Sequence, residues 1–120
     1  CLTQYPIGDN CFMLEDNTIQ PFVKIGNNVV LWSGNHIGHD VTIGDHCYIT
    51  SHVVISGFVD IRPYCFLGVN ATIRDGIVIA EATLVGAGAV IMKSTNEKSV
   101  ILPPRSTLFD KKSDEIVISS

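Results

Sequence analysis

A six-residue period runs through most of this chain. From Ile7 to Ile91, every sixth residue is a large aliphatic, without a single insertion that breaks the phase. Four positions after most of these residues lies a second, usually smaller buried type, such as Val23, Val29 or Cys47. A fixed short period of this kind indicates a solenoid of stacked repeats. The fifteen aliphatic positions are Ile7, Met13, Ile19, Ile25, Leu31, Ile37, Ile43, Ile49, Ile55, Ile61, Leu67, Ile73, Ile79, Val85 and Ile91.

The period excludes both a helix and one long strand, which repeat every 3.6 and every two residues. It is typical of a short strand, a corner, and another short strand on a new face. The corner positions carry Asn, Asp, Gly and His, as at Asn27-Asn28 and His39-Asp40, and these types tolerate a left-handed backbone or bond to their own backbone. Three such edges, one hexapeptide each, close a triangular coil. The sequence therefore predicts an all-β parallel β-helix of about five coils over residues 7–96.

Stepping along the sequence by one full coil gives the predicted interior columns, which are stacks of aliphatic and mostly β-branched side chains, as a dry parallel core prefers. Two predicted inward positions are polar, Asn17 and Asn35, and they are separated by one full coil. They are interpreted as a stacked amide ladder and, alternatively, as a buried site.

The four cysteines follow the phase of the repeat. Cys11, Cys47 and Cys65 occupy the small inward position of a single face, and Cys1 falls on an aliphatic position one repeat earlier. They are predicted to be free, buried thiols, as is typical of a reducing cytoplasm. Cytoplasmic localisation is the corresponding expectation.

Composition narrows the possible functions. The formal net charge is −4 and no basic run is present, which argues against nucleic acid as a partner. No apolar stretch approaches the roughly 20 residues that cross a bilayer, so no membrane insertion is expected. The chain begins at Cys1, close to the phase of the repeat, and is expected to be part of something longer. The repeat stops after Thr95, and residues 97–120 are predicted to be a C-terminal capping tail for a β-helix domain at 1–96.

Four histidines lie close together in the sequence: His36, His39, His46 and His52. None of the pairs is separated by one full coil, so a zinc site is expected only across a subunit interface, and no metal is predicted. His39-Asp40 is at a corner, where an imidazole points outward and has a pKa suited to proton transfer at neutral pH. The competing interpretation of each histidine is a solvated turn residue.

The run from Ser33 to Asp45 (SGNHIGHDVTIGD) resembles the signature of the left-handed β-helix acyltransferases. It is most similar to the branch of sialic acid O-acetyltransferases and of N-acetyltransferases for nucleotide-linked amino sugars. The runs at 65–70 (CFLGVN) and 85–90 (VGAGAV) fit the same branch in phase, and the similarity covers about residues 5–105. Left-handed coiling is implied by this resemblance alone, since parallel crossovers are normally right-handed.

The resemblance also implies roles for individual residues. A histidine followed by an acidic residue is the family's general base, which corresponds to His39 and Asp40. The family's second histidine corresponds to Tyr48, a departure from the pattern, and His52 is the other candidate for contact with the acceptor substrate. Acetyl-coenzyme A lies between two subunits of a homotrimer in this family. By position it is expected to contact the following residues: Gly68, Asn70, Gly86, Ala87, Gly88, Lys93 and Arg105.

The function implied is transfer of an acetyl group from acetyl-coenzyme A to an amine or hydroxyl of a sugar, expected to be nucleotide-linked, by a homotrimer. Many family members also carry an N-terminal Rossmann-like sugar-nucleotide domain, which is expected to be missing from this chain. Two alternatives stay open. One is a catalytically silent β-helix that serves in assembly or as a scaffold. The other is a metalloenzyme similar to the γ-carbonic anhydrases.

Overall fold

The computed structural model describes residues 7–116, and Cys1 and the end of the predicted tail lie outside these residues. Fifteen two-residue strands succeed one another at six-residue intervals up to β14. Their bounds are β1 Phe12–Met13, β2 Thr18–Ile19, β3 Lys24–Ile25, β4 Val30–Leu31, β5 His36–Ile37, β6 Thr42–Ile43, β7 Tyr48–Ile49, β8 Val54–Ile55, β9 Asp60–Ile61, β10 Phe66–Leu67, β11 Thr72–Ile73, β12 Val78–Ile79, β13 Leu84–Val85, β14 Val90–Ile91 and β15 Val100–Ile101.

Up to β14, each strand pairs in parallel with the strand three further along the chain, which gives a three-sided prism. Face I contains β1, β4, β7, β10, β13 and β15; face II contains β2, β5, β8, β11 and β14; face III contains β3, β6, β9 and β12. The register is one full coil of three hexapeptides, as in the pairing of Ile37 with Ile55 and of Ile43 with Ile61. The predicted parallel β-helix of about five coils is confirmed. Among residues 7–116 there is no helix long and apolar enough to cross a membrane.

The corners share one backbone conformation. Every sixth residue from Asn10 to Gly88 has a φ between +56° and +74°. Asn, Asp, Gly and His occupy most of these positions, as predicted, because they tolerate the left-handed region. Phe22, Phe58 and Tyr64 also adopt it, although bulky residues rarely do. The corners therefore present several aromatic rings to solvent.

The core consists of the two predicted inward positions of each repeat. The columns from Ile25 to Ile91 are at most 5% exposed. Cys47 and Cys65 are buried free thiols, as predicted, and each donates to a carbonyl of the next coil, that of Arg62 and that of Ala80. The hydrogen bond with the Cys65 thiol, together with burial, raises the pKa of the Cys47 thiol well above its usual range. Such a thiol stays protonated and acts as a small core residue.

The two inward asparagines do stack, but they do not bond to each other's amides. The Asn17 Oδ1 accepts from the Asn35 backbone N–H at 3.0 Å, and the Asn35 Oδ1 accepts from the Val53 N–H at 2.8 Å. The Asn35 Nδ2 donates to the Trp32 carbonyl at 3.1 Å. The side chains therefore complete the backbone ladder at this corner, which corrects the expected amide-to-amide ladder. Thr83 is a further buried polar residue that the sequence reading missed.

The parallel ladder continues past residue 96 through an irregular coil. β15 pairs with β13, although Ile101 follows Val85 by two positions fewer than a full coil. The hydroxyl oxygens of Ser94 and Thr95 accept from the N–H groups of Val78 and Ala80, where a full coil would supply carbonyls. The segment after Pro103 is exposed up to residue 116 and includes one short 3₁₀ helix, Ser113–Glu115. A capping role for 97–120 stays a prediction.

We expect Asn35→Ala to destabilise the fold by about 2 kcal/mol or more, because it leaves the buried Val53 N–H and the part-buried Trp32 carbonyl without a partner. The matched control is Asn28→Gly, at an exposed corner with φ +56°, which we expect to change stability by no more than about 0.5 kcal/mol. Chemical denaturation followed by circular dichroism measures both. Equal losses for the two variants would contradict the assigned role of the Asn35 side chain.

Candidate functional site

His39 and Asp40 form an outward-facing pair at the corner between faces II and III. The His39 Nδ1 lies 3.1 Å from the Asp40 Oδ2, and both side chains are about half exposed. A carboxylate beside Nδ1 favours the imidazole tautomer that carries its proton there. The opposite nitrogen, Nε2, then has a free lone pair, which is the requirement for a general base.

The imidazole packs against residues of the next coil. A Cβ built on Gly57 would lie only 2.8 Å from the His39 Cε1 and Nε2, so the ring packs directly over the glycine. Phe58 contacts the ring edge-to-face, with the centroids 5.0 Å apart. On the preceding coil, the Gln20 Oε1 accepts from the His39 backbone N–H at 3.0 Å. Sequence reasoning missed these three neighbours, although each lies within one position of a full coil from His39.

The other histidines lie elsewhere on the prism. His46 is at the corner between faces III and I and stacks on Tyr64 at 4.9 Å. His52 is at the corner between faces I and II, where its ring covers Gly34 in the same way that His39 covers Gly57. His36 points outward from face II. His39, His46 and His52 thus occupy three different corners, and the described residues contain no group of three His, Cys, Asp or Glu that could hold a metal ion.

Tyr48 projects outward from face I within an aromatic cluster. Its hydroxyl accepts a hydrogen bond from the Trp32 Nε1 at 2.5 Å, and its ring stacks on Phe66 with centroids 5.4 Å apart. The corner between faces II and III is opposite face I, because the triangular prism has only three faces. Tyr48 and His39 therefore point away from each other in a single chain.

The residues expected to bind acetyl-coenzyme A fall into two groups. Gly68, Asn70 and the segment 86–88 all lie at the corner between faces I and II, in consecutive coils. His52 is at the same corner, one coil before Asn70. Lys93 lies at the corner between faces II and III, and Arg105 lies in the exposed segment after β15. The structure brings the first group together and leaves Lys93 at another corner, whereas Arg105 follows Leu102 and Pro103, which lie next to Gly86.

Two of these glycines have structural roles as well. A Cβ on Gly68 would lie 2.6 Å from the Ala87 backbone nitrogen, so glycine is needed for the close stacking of coils. Gly88 has φ +74° and open space around it. The N–H of Ala87 forms no hydrogen bond within residues 7–116. This corner therefore has a backbone donor with no acceptor among the described residues.

A single row of apolar side chains covers the outside of face I. In register, it contains Phe12, Val30, Tyr48, Phe66, Leu84 and Val100. The corresponding row of face III is more polar and contains Lys24, Thr42, Asp60 and Val78. Beside face I, a cavity of about 400 Å³ extends to the next corner; it is lined by Trp32, Tyr48, Thr50, Ser51, Phe66 and Val69.

We expect Gly57→Ala to displace the His39 ring, because the added methyl group would occupy the space of the imidazole. The ring side chain is half exposed and can rotate away, so the free energy of unfolding should fall by less than about 1 kcal/mol. NMR of the imidazole nitrogens should show changed His39 resonances and unchanged His36 and His46 resonances. Ser56→Ala is the control, because the Ser56 side chain makes no hydrogen bond or ring contact with His39. Unchanged His39 resonances in Gly57→Ala would contradict the packing of the His39 ring on Gly57.

The repeat matches one protein-family model. The model described as "Bacterial transferase hexapeptide (six repeats)" matches residues 22–57, which include His39 and Asp40. Comparison of the sequence with the curated proteins finds no match.

Several solved structures share the fold. The acetyltransferase domain of PglB from Neisseria gonorrhoeae FA1090 superposes with a TM-score of 0.80 at 19% identity, covering 82% of this chain and 48% of that chain. PerB from Caulobacter crescentus, in complex with CoA and GDP-perosamine, has a TM-score of 0.80 at 24% identity, covering 82% of this chain and 47% of that one. A variant of AntD, an N-acyltransferase from Bacillus cereus in complex with dTDP and coenzyme A, has a TM-score of 0.57 at 15% identity, covering 92% and 86%.

This chain spans about half the length of the PglB domain and of PerB. At these identities the superpositions establish the fold, and they agree with the one-coil register and the three parallel sheets. The fold implied by the resemblance is thereby confirmed: residues 22–57 match the hexapeptide model, and the chain has the left-handed parallel β-helix fold.

Proposed function

We propose that this chain is the acyltransferase domain of an enzyme that moves an acetyl group from acetyl-coenzyme A to an amine or hydroxyl of a nucleotide-linked sugar. The observation that carries the proposal is the His39–Asp40 pair, in which the carboxylate is 3.1 Å from Nδ1 and Nε2 is left open. Support comes from two structures of the same fold, PerB with CoA and GDP-perosamine and an AntD variant with dTDP and coenzyme A.

The reaction needs no covalent enzyme intermediate. The acceptor amine or hydroxyl attacks the thioester carbonyl while the His39 Nε2 removes the proton of the attacking group. Backbone N–H groups stabilise the negative charge on the carbonyl oxygen of the tetrahedral intermediate. When the carbon–sulfur bond breaks, the imidazolium returns its proton to the departing thiolate, and coenzyme A leaves as the thiol. Asp40 stabilises the positive imidazolium throughout.

The active unit in this proposal is a homotrimer whose site lies between two subunits. Tyr48 lies on face I, which borders the corner between faces I and II, whereas His39 is on the opposite side of the same prism. They can contribute to one groove only when face I of one subunit is next to His39 of another. The apolar row on face I supplies a surface for this contact, since exposed apolar patches mark sites of association. Each subunit then presents a base to one neighbour and a binding wall to the other, and three copies close the ring.

Acetyl-coenzyme A would lie along the corner between faces I and II. The backbone at Gly68 and at 86–88 would contact its amide groups, and Asn70 is the polar side chain among these residues. Lys93 of the neighbouring subunit is at the corner that also carries His39, so it can approach the same groove from the other wall. Lys93 and Arg105 are proposed partners for the phosphates of the cofactor.

We expect His39→Ala to lower kcat about a hundredfold or more, because a positioned general base contributes roughly 10²- to 10⁴-fold. The affinity for acetyl-coenzyme A should be nearly unchanged, since proton removal acts in the transition state. Asp40→Asn, which suits the φ of +58° at this corner, should lower kcat by a smaller factor. A coupled assay for free thiol with a nucleotide-linked amino sugar measures turnover.

The controls are His36→Ala and His46→Ala, which should retain most activity. If His52→Ala loses turnover and His39→Ala does not, the base is at the other corner. If all four variants stay active, no histidine is the base, and if the parent protein transfers no acetyl group to any amino sugar, a scaffolding role is favoured.

Light scattering should report a particle of about three times the 13.0 kDa of one chain. Leu84→Asp places a charge in the apolar row of face I and should shift the particle towards the monomer, because a charge at a desolvated contact is costly. Thr42→Asp, on the outer row of face III, is the matched control and should leave the trimer intact. Dissociation by Thr42→Asp alone would place the interface on face III.

A further inference from the structure

Trp32 is a residue that neither the repeat nor the reaction accounts for. It lies at the start of a corner, next to the buried Leu31, and is 42% exposed. Its ring is tilted by 46° against Tyr48, with the centroids 6.5 Å apart, and its Nε1 donates to the Tyr48 hydroxyl oxygen. Phe66, one coil further, stacks on the other side of the same phenol ring. Tyr48 is therefore held from both neighbouring coils.

The direction of this hydrogen bond has a chemical consequence. The indole N–H can only donate, so the Tyr48 oxygen must accept. The phenol O–H is then left to donate, and within residues 7–116 no acceptor takes it. Trp32 thus occupies one lone pair of the phenol and directs its proton elsewhere. A phenylalanine at either position would remove this arrangement while keeping an aromatic ring.

The cavity beside Tyr48 can hold a ligand that accepts a hydrogen bond from this O–H. Its lining includes the aromatic residues Trp32, Tyr48 and Phe66 and the hydroxyl-bearing residues Thr50 and Ser51. The Thr50 hydroxyl donates to the Leu67 carbonyl, which leaves its oxygen as an acceptor. Apolar ring surfaces with a few hydroxyls at the edge match a pyranose, which has an apolar face and an oxygen-rich circumference.

We propose that Trp32 is a positioning residue that directs the O–H of Tyr48 into this cavity. There, Tyr48 donates a hydrogen bond to an oxygen of the acceptor sugar. The inference rests on the proposed function, since it assigns this cavity to the acceptor. It adds a residue that makes no contact with the reacting atoms and acts through Tyr48.

A double-mutant cycle with the full chain tests the assignment. Trp32→Phe and Tyr48→Phe should each raise KM for GDP-perosamine or dTDP-4-amino-4,6-dideoxyglucose about 5- to 20-fold, with kcat and KM for acetyl-coenzyme A changed less than twofold. The double variant should be no weaker than Tyr48→Phe alone, because Trp32 acts only through the Tyr48 hydroxyl and has nothing to direct once that hydroxyl is removed. Tyr64→Phe, which removes a phenol hydroxyl at the corner between faces III and I and outside the cavity, is the control and should leave all constants unchanged. Multiplicative losses in the double variant would overturn the proposal.

Fluorescence gives a second readout that does not require turnover. Trp32 is the single tryptophan of the chain, so all indole emission comes from this site. Tyr48→Phe should shift the emission maximum, because the indole N–H loses its acceptor, and the amino sugar should change the emission of the parent protein in the absence of acetyl-coenzyme A. No shift in Tyr48→Phe would overturn the proposal.

The two readouts separate the inference from the function. If the sugar changes the emission but no acetyl group is transferred, the proposed function fails while the assignment of the cavity stands. If transfer proceeds and the sugar leaves the emission unchanged, the function stands and the inference is overturned.

Discussion

Backbone hydrogen bonds between coils set the geometry on which everything else in this molecule depends. The Gly8 N–H donates to the Ile25 carbonyl at 2.8 Å, and the His36 N–H donates to the Val53 carbonyl at 2.9 Å, so that each bond joins one coil to the next. The ladder requires the residue one full coil later to lie directly above its predecessor. The final coil shows how strict this requirement is. It is two positions short, and the hydroxyls of Ser94 and Thr95 accept from N–H groups that would otherwise have no partner.

The same geometry decides where chemistry can occur. Two of every six residues fill the interior, which contains aliphatic columns, thiols and a few satisfied polar groups. The remaining side chains lie on flat faces or project from convex corners. A single prism therefore has shallow surfaces, and a deep groove requires a second prism beside it. This is the physical reason for placing His39 and Tyr48, which lie on opposite sides of one chain, in a site shared between two chains.

Most of the fold could be predicted from the sequence, because period and burial are linked directly. The inward positions, the corners and the core thiols follow from counting by six. The six-residue period could not reveal the shortened coil before Ile101. In that coil, two side-chain hydroxyls accept the hydrogen bonds that the carbonyls of another strand would otherwise accept. The period also misassigned the asparagine ladder, because an Asn at an inward position beside a corner reaches backbone groups before it reaches another amide. Part of the candidate site could also have been predicted from the sequence. Gly57 lies one full coil after His39, so the period alone places the two residues next to each other. The Trp32–Tyr48 bond does not follow the column of either residue and depends on side-chain rotamers, which no period reveals.

In the proposed site, the departure at Tyr48 would change the kind of hydrogen bond offered to the acceptor substrate without removing it. An imidazole donates or accepts according to its tautomer, whereas a phenol whose oxygen already accepts from Trp32 presents a donor. In the proposed assembly, one wall of the groove carries the His39 Nε2 as an acceptor and the other carries the Tyr48 O–H as a donor. A sugar whose amine or hydroxyl donates to one wall, and whose ring or hydroxyl oxygen accepts from the other, satisfies both groups at once. A group without a lone pair, such as a protonated amine, would face Tyr48 with no acceptor for the phenol hydrogen, which costs roughly 1–3 kcal/mol in a desolvated site. The polarity of the two walls, set by Asp40 on one side and Trp32 on the other, thus favours an oxygen of the sugar beside Tyr48 and the attacking N–H or O–H beside the base.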